Sequence, residues 1–118
     1  MPEKANVYVI EPDSTWRATL REELQSMGHR VAMSAATGNE ALGKIKDIPR
    51  KRIQVVVIEG DLGRQDTIGS QSVVSAIHIK NPKVRIVEVG YLSSLLRSTD
   101  AKVWKGRIDE LGDVVTSL

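Results

Sequence analysis

The sequence predicts one α/β domain built on an open, doubly wound sheet of five parallel strands. Short β-branched runs alternate about five times with amphipathic stretches of helical length, which is the pattern of βα units. The run at residues 53–58 is apolar at almost every position, as expected of a central parallel strand covered by helices on both faces. With 118 residues, the chain has room for one domain and no second one.

The first half of the chain supplies three strands and two helices. The strands are expected at residues 7–10, 31–34 and 53–58. Asp13 or Ser14 caps the first helix, whose apolar side chains recur every three or four residues, and Gly28 closes it. Thr37 can cap the second helix, which ends before Pro49.

The second half is more compressed. A polar, glycine-rich loop at residues 59–69 leads into a third helix that stops before Pro82. The remaining elements are a strand at 84–89, at most a short fourth helix within 93–98, a strand at 102–104 and a last helix from 108 to 118. With right-handed crossovers, the simplest strand order is 2-1-3-4-5.

Composition excludes several classes of protein. The chain has no cysteine, so disulfides and thiolate metal sites are ruled out, and its longest apolar runs fall short of a membrane span. We therefore expect a cytoplasmic protein, either whole or a domain of a longer regulator. The formal net charge of +2 is too small to indicate nucleic-acid binding, and the basic run at residues 50–52 is interpreted as a solvated loop, with a DNA or membrane patch as the alternative.

The topology itself points to one edge of the sheet as the functional site. Doubly wound sheets bind ligands at the carboxyl ends of their strands, beside the switch point between strands one and three. This rule selects Glu11, Pro12 and Asp13 after strand one, Glu59, Gly60 and Asp61 after strand three, and Lys105 after strand five. Acidic groups with a lysine are suited to a hard cation such as Mg²⁺ and a phosphoryl group.

The order of these motifs resembles that of response-regulator receiver domains. The segment VIEPDSTWR at residues 9–17 resembles the family's opening, in which two acidic residues follow strand one; Glu11 and Arg17 keep its six-residue spacing. VVVIE at residues 55–59 resembles the strand that leads into the family's phosphate-accepting aspartate. VWK at residues 103–105 resembles the approach to the family's invariant lysine. The resemblance covers the whole chain and implies a flavodoxin-like fold and a role in two-component signal transduction.

Two departures affect the phosphorylation site. The acceptor position is Glu59, whose carboxylate lies one carbon, about 1.5 Å, further from the backbone than that of aspartate. Since misplacements of about 1 Å can cost on the order of a hundredfold in rate, Glu59 is predicted to be a poor acceptor. Pro12 replaces the second acidic residue, so Mg²⁺ would bind at most weakly, through Glu11, Asp13 and Glu59. No other cofactor is expected.

The family's switch positions are also altered. Near the end of strand four, Glu88 or Val89, depending on register, replaces the family's threonine or serine. The family's switch aromatic corresponds to Lys102, and Gly106 replaces the proline that usually follows the lysine.

These departures predict an atypical receiver, or pseudo-receiver, that is not an enzyme and signals by protein–protein interaction. A Glu59–Lys105 ion pair would either mimic the phosphorylated contact or merely satisfy a relic cluster of charges. The expected partner is a histidine kinase, an output domain or a second receiver, and a homodimer through the face between the fourth and last helices is left open. The residues predicted for that face are Leu95, Leu96, Lys102 and Trp104.

Two alternatives remain at this stage. A phosphoacceptor could use Glu59 or Asp61 with Mg²⁺, although Asp61 is more simply explained as a loop cap. A flavodoxin-like binder of nucleotide or flavin is disfavoured, because no glycine-rich or hydroxyl-rich phosphate loop follows strand one.

Overall fold

The computed structural model describes residues 4–63, 68–91 and 95–118. One five-stranded sheet has the order β2-β1-β3-β4-β5, and all of its pairings are parallel. The strands are β1 (Asn6–Ile10), β2 (Arg30–Ala35), β3 (Val55–Glu59), β4 (Arg85–Gly90) and β5 (Ala101–Trp104). The predicted fold class and strand order are confirmed.

The first two helices begin where the sequence places their caps. The helices are α1 (Ser14–Ser26), α2 (Gly38–Gly43), α3 (Ser70–Lys80) and α4 (Leu111–Ser117), with short 3₁₀ segments at Ile45–Asp47 and Lys105–Glu110. The Asp13 side chain accepts a 2.9 Å hydrogen bond from the Trp16 amide at the start of α1, and Thr37 accepts one of 3.0 Å from the Glu40 amide at the start of α2. None of the helices in the described ranges is long and apolar enough to cross a membrane.

The described residues between β4 and β5, which are Tyr91 and 95–100, contain no helix. A short helix is predicted there within residues 93–98; residues 93 and 94 lie outside the described ranges, and 95–98 are not helical. The buried Glu88 carboxylate accepts hydrogen bonds of 2.9 and 3.3 Å from the amides of Leu95 and Leu96, so these amides need no helical partner. Ser98 has a positive φ of 63°, which also interrupts a right-handed helix.

Each face of the sheet has its own apolar core. Val56 and Ile58 of β3 join the core beneath α2 and α3, whereas Val55 and Val57 join the core beneath α1 and α4. This alternation explains why the strand is apolar throughout, because both of its faces are covered.

The last helix is held against α1 and β2 by a buried histidine. His29 Nδ1 accepts a 3.0 Å hydrogen bond from the Ala5 amide, and its Nε2 lies 3.2 Å from the Gly112 carbonyl oxygen and 2.9 Å from Thr116 Oγ1. A Cβ atom on Gly112 would lie 3.0 Å from the carbonyl oxygen of Glu23 and would collide with the Met27 side chain. Close approach of α4 to α1 therefore requires glycine at position 112.

We predict that Gly112→Ala lowers the free energy of unfolding by about 1–3 kcal/mol, because the added methyl overpacks the contact between α1 and α4. Gly43→Ala is the matched control, since a Cβ there meets nothing within 4 Å and alanine favours a helix. Urea titrations of both variants measure the difference. Equal stability of the two variants would contradict the proposed close approach.

Candidate functional site

Three charged residues predicted from the topology meet at the carboxyl ends of the strands. Glu11 follows β1, Glu59 ends the neighbouring β3, and Lys105 directly follows β5. All three are buried, with exposed fractions of 2%, 9% and 7% respectively. We call them the carboxylate–lysine cluster.

The Lys105 ammonium bridges both carboxylates. Its Nζ lies 2.6 Å from Oε1 of Glu11 and 2.9 Å from Oε2 of Glu59. The other oxygen of each carboxylate accepts a hydrogen bond from a backbone amide two residues on, at 3.1 Å from Asp13 and 3.3 Å from Asp61. Both carboxylates are thus committed to partners within the protein.

Burial and ion pairing shift the pKa values of Glu59 and Lys105 in opposite directions. Burial raises the pKa of Glu59 above its ordinary value, and the hydrogen bond from Lys105 opposes that rise only in part. Burial alone would lower the pKa of Lys105, but its hydrogen bonds to Glu11 and Glu59 outweigh that effect and raise the pKa. Lys105 therefore keeps its proton near neutral pH and supplies the positive charge of the site.

Two aromatic rings cover the ammonium. The Lys105 Nζ lies 4.8 Å from the centre of the Trp16 ring and 5.7 Å from that of Tyr91, distances suited to cation–π attraction. The rings meet edge to face, with centroids 5.8 Å apart. Sequence reasoning missed Tyr91, whose position directly after β4 was the available signal.

The loop after β1 does not supply a further acidic ligand. Pro12 is exposed, and its carbonyl oxygen and that of Glu11 accept hydrogen bonds of 3.0 and 2.8 Å from the Arg17 guanidinium. The Asp13 carboxylate caps α1 and is exposed. Arg17 thus fixes the turn, and Asp13 does not compensate for the acidic residue missing at position 12.

The residues of this site do not fit a resident magnesium ion. A hard cation needs several oxygen ligands, but the Glu11 and Glu59 carboxylates both face Lys105, and Pro12 offers no side-chain oxygen. In the described ranges, no group of three or more histidine, aspartate or glutamate side chains is arranged to hold a metal.

Asp61 lies in the loop after β3, outside the carboxylate–lysine cluster. Its Oδ1 accepts a 2.9 Å hydrogen bond from the Gly63 amide, and the residue is exposed. This geometry is that of a loop cap. The loop is also tied down by Ser70, whose hydroxyl donates a 2.8 Å hydrogen bond to the Glu59 carbonyl oxygen.

A second buried ion pair lies beside the first. Glu88 is directly opposite Lys102 on the neighbouring strand, is fully buried, and lies 3.4 Å from the Lys102 Nζ. Val89 points instead into the core beneath α1 and α4. The register therefore places Glu88, and not Val89, in the crevice.

A small cavity of about 140 Å³ lies between the two ion pairs. Its lining residues are Glu59, Gly60, Asp61, Glu88, Gly90, Tyr91, Leu95 and Lys102.

The residues predicted for a partner-binding face do not all lie on the surface. Leu95 and Trp104 are 53% and 45% exposed, and the Lys102 ammonium lies 5.2 Å from the centre of the Trp104 ring. Leu96 is only 8% exposed and packs into the core beneath α2 and α3. Its inclusion in that face was wrong, because the hydrogen bonds that the Leu95 and Leu96 amides donate to Glu88 draw this segment inward.

Solved structures of receiver domains share this fold. A CheY-like receiver domain from Methanospirillum hungatei aligns with a TM-score of 0.78 at 17% identity, covering 96% of this chain and 91% of that chain. The response regulator RcsB from Salmonella typhimurium aligns with a TM-score of 0.78 at 12% identity, covering 98% and 59%. The anti-anti-sigma factor PhyR from Bartonella quintana aligns with a TM-score of 0.74 at 18% identity, covering 96% and 46%.

The likeness to these structures defines the fold. The chain spans about half the length of the PhyR and RcsB chains. Its sequence matches no protein-family model and no curated protein. The protein therefore has the fold of response-regulator receiver domains, as its motifs predicted.

We predict that Lys105→Met lowers the free energy of unfolding by about 3–5 kcal/mol near neutral pH, because it leaves two buried carboxylates without their cation. Arg107→Gln is the control: it removes an exposed pair with Glu110, so the loss should stay below about 1 kcal/mol. Urea denaturation of both variants measures these losses.

The loss caused by Lys105→Met should shrink as the pH falls. Without the ammonium, the pKa of Glu59 rises further above its usual value of 4.5, so the folded variant takes up a proton before the unfolded chain does. A group with a raised folded pKa contributes stability at low pH and loses it as the pH rises. A loss that is independent of pH between the neutral range and about 4.5 would contradict this role of Lys105.

Proposed function

We propose that this chain is a signal-transduction module of the receiver fold that acts by binding a protein partner and does so without being phosphorylated. The observation that carries the proposal is the position of the Lys105 ammonium, 2.6 and 2.9 Å from the Glu11 and Glu59 carboxylates. The ammonium supplies the positive charge that a metal ion supplies in a phosphoryl-transfer site.

Acyl-phosphate formation at this site faces three obstacles. The carboxylate of Glu59 is engaged on both oxygens, by Lys105 and by the Asp61 amide. The loop after β1 offers Pro12 where the resembled family has an acidic residue. The rings of Trp16 and Tyr91 lie over the ammonium and restrict approach to it. Each obstacle opposes the positioning of a phosphoryl donor and a metal.

The altered switch positions support the same interpretation. Glu88 and Lys102 occupy the positions that, by resemblance, would couple phosphate to an output surface, and they form an ion pair with each other. The Glu88 carboxylate also accepts hydrogen bonds from the amides of Leu95 and Leu96. A buried pair tied to the loop favours one fixed conformation, which suits a permanently presented binding surface.

We assign partner binding to an exposed face formed by Tyr91, Leu95 and Trp104, which are 64%, 53% and 45% exposed. Exposed aromatic and large aliphatic side chains beside a charged rim are typical of protein interfaces. Lys102 lies beside Trp104 and contributes to that rim. A kinase, an output domain and a second copy of a receiver are the partner classes that fit the proposal.

We predict that incubation with Mg²⁺ and acetyl phosphate leaves the intact mass of the protein unchanged. Glu59 is paired with Lys105, and the site does not fit the metal ion that phosphoryl transfer needs. A competent receiver domain labelled in parallel is the positive control. Mass spectrometry under conditions that preserve acyl phosphates gives the result. A phosphoryl adduct that disappears in Glu59→Gln or Asp61→Asn would restore the phosphoacceptor interpretation.

We further predict that Trp104→Ser removes specific partners from affinity purifications made in the native cells, whereas Ile79→Ser does not. Ile79 is the matched control, because it is 81% exposed but lies on α3, away from the proposed face. Quantitative mass spectrometry compares the two variants with the wild type. Equal recovery of every partner by both variants would rule out Trp104 as an interface residue.

A further inference from the structure

The amino-terminal ends of the strands carry a concentration of positive charge that the net charge of +2 conceals. The fold gathers cations from distant parts of the chain at this edge, opposite the carboxylate–lysine cluster. We call this set the basic row; its members are Lys4, Arg30, Lys51, Arg52, Lys83 and Arg85, and all six are exposed.

Backbone hydrogen bonds place the strand starts that carry the basic row next to one another. The Arg30 amide donates to the Ala5 carbonyl at 2.9 Å, which joins β2 to the start of β1. The Gln54 amide donates to the Asn6 carbonyl at 2.9 Å, and the Arg85 amide donates to the Gln54 carbonyl at 3.0 Å. Four adjacent strands, in the order β2-β1-β3-β4, thus present cations side by side.

The basic row is largely unneutralised. Within the described ranges, its salt bridge is the one from Arg85 to Asp100, at 3.4 Å between partly exposed groups. Among the described residues next to the starts of the strands, the acidic side chain is that of Asp100, directly before β5, against six cations.

The spacing of the row suits a linear polyanion. Neighbouring strands lie about 4.8 Å apart, so four strand ends span about 14 Å, close to four successive phosphate-to-phosphate rises of about 3.4 Å along one nucleic-acid strand. Three members are arginines, whose planar guanidinium groups pair well with phosphate. We propose that the basic row binds the phosphate backbone of nucleic acid without reading base sequence.

Other anionic partners fit this edge less well. A peripheral membrane contact or a stable protein interface needs exposed apolar anchors. The large exposed apolar residues nearest this edge are Met27, directly after α1, and Ile79, within α3. These two helices cover opposite faces of the sheet, so the two side chains form no common patch. The exposed face formed by Tyr91, Leu95 and Trp104 lies at the opposite, carboxyl ends of the strands. It supplies no apolar anchor next to the basic row.

The test is fluorescence anisotropy with short labelled DNA duplexes of two unrelated sequences. We expect both duplexes to bind equally, and affinity to fall on the order of a hundredfold between about 50 and 200 mM salt, as for about four phosphate contacts. The variant Arg30→Gln/Arg52→Gln should weaken binding at least tenfold at low salt and reduce the salt slope by about two.

The matched control is Arg21→Gln/Arg107→Gln, which removes the same charge from exposed positions outside the basic row, on α1 and after β5. It should bind duplex within about twofold of the wild type, and circular dichroism should show that both double variants are folded. Absence of duplex binding at low salt, equal loss in both double variants, or binding to phosphatidylserine vesicles or polyglutamate in preference to the duplex would overturn the proposal. Because the basic row lies opposite the carboxylate–lysine cluster, this result is independent of the acetyl phosphate experiment.

Discussion

The burial of two carboxylates beside each other is the constraint on which the site depends. Glu11 and Glu59 end adjacent strands of a parallel sheet, so the topology forces their side chains to the same place. Two such charges are costly to bury unless a cation joins them. Lys105, directly after β5, provides that cation, and its ammonium is covered in turn by Trp16 and Tyr91.

The second ion pair extends this constraint to the neighbouring loop. Glu88 is fully buried, and its carboxylate is satisfied by Lys102 and by the amides of Leu95 and Leu96. A carboxylate in the crevice thereby organises a segment that would otherwise satisfy its own amides as a helix. Gly60 makes room for this carboxylate, because a Cβ there would collide with Glu88. The two ion pairs together fix the positions of the charged side chains at the carboxyl ends of the strands.

The sequence predicted features that depend on local patterns and on topology. Uniformly apolar β3 identified the central strand, and the rule for carboxyl ends brought Glu11, Glu59 and Lys105 together before their distances were known. The sequence did not predict the contribution of Tyr91 or the hydrogen bonds that Glu88 accepts, since these depend on side-chain directions across strands. Leu96 was placed wrongly for the same reason.

Charge distribution is another property that the linear sequence obscured. The interpretation of residues 50–52 as a solvated loop considered one run and the net charge, whereas the sheet places this run at the same edge as Arg30 and Arg85. The start of α4 was also predicted too early. Residues 105–110 form a 3₁₀ segment with a break at Arg107, and the regular helix begins at Leu111. Neither the alignment of charges nor this break follows from hydrophobic periodicity.

The most direct test of the account is a magnesium titration observed by carbon NMR at the side-chain carboxyl groups of Glu11 and Glu59. If the Lys105 ammonium is the resident cation of the site, both carboxyl signals stay unchanged as Mg²⁺ is added, while exposed carboxylates show only weak, non-saturating shifts. Saturable shifts of the Glu11 and Glu59 signals would mean that a metal displaces Lys105, and would contradict a site closed to phosphorylation.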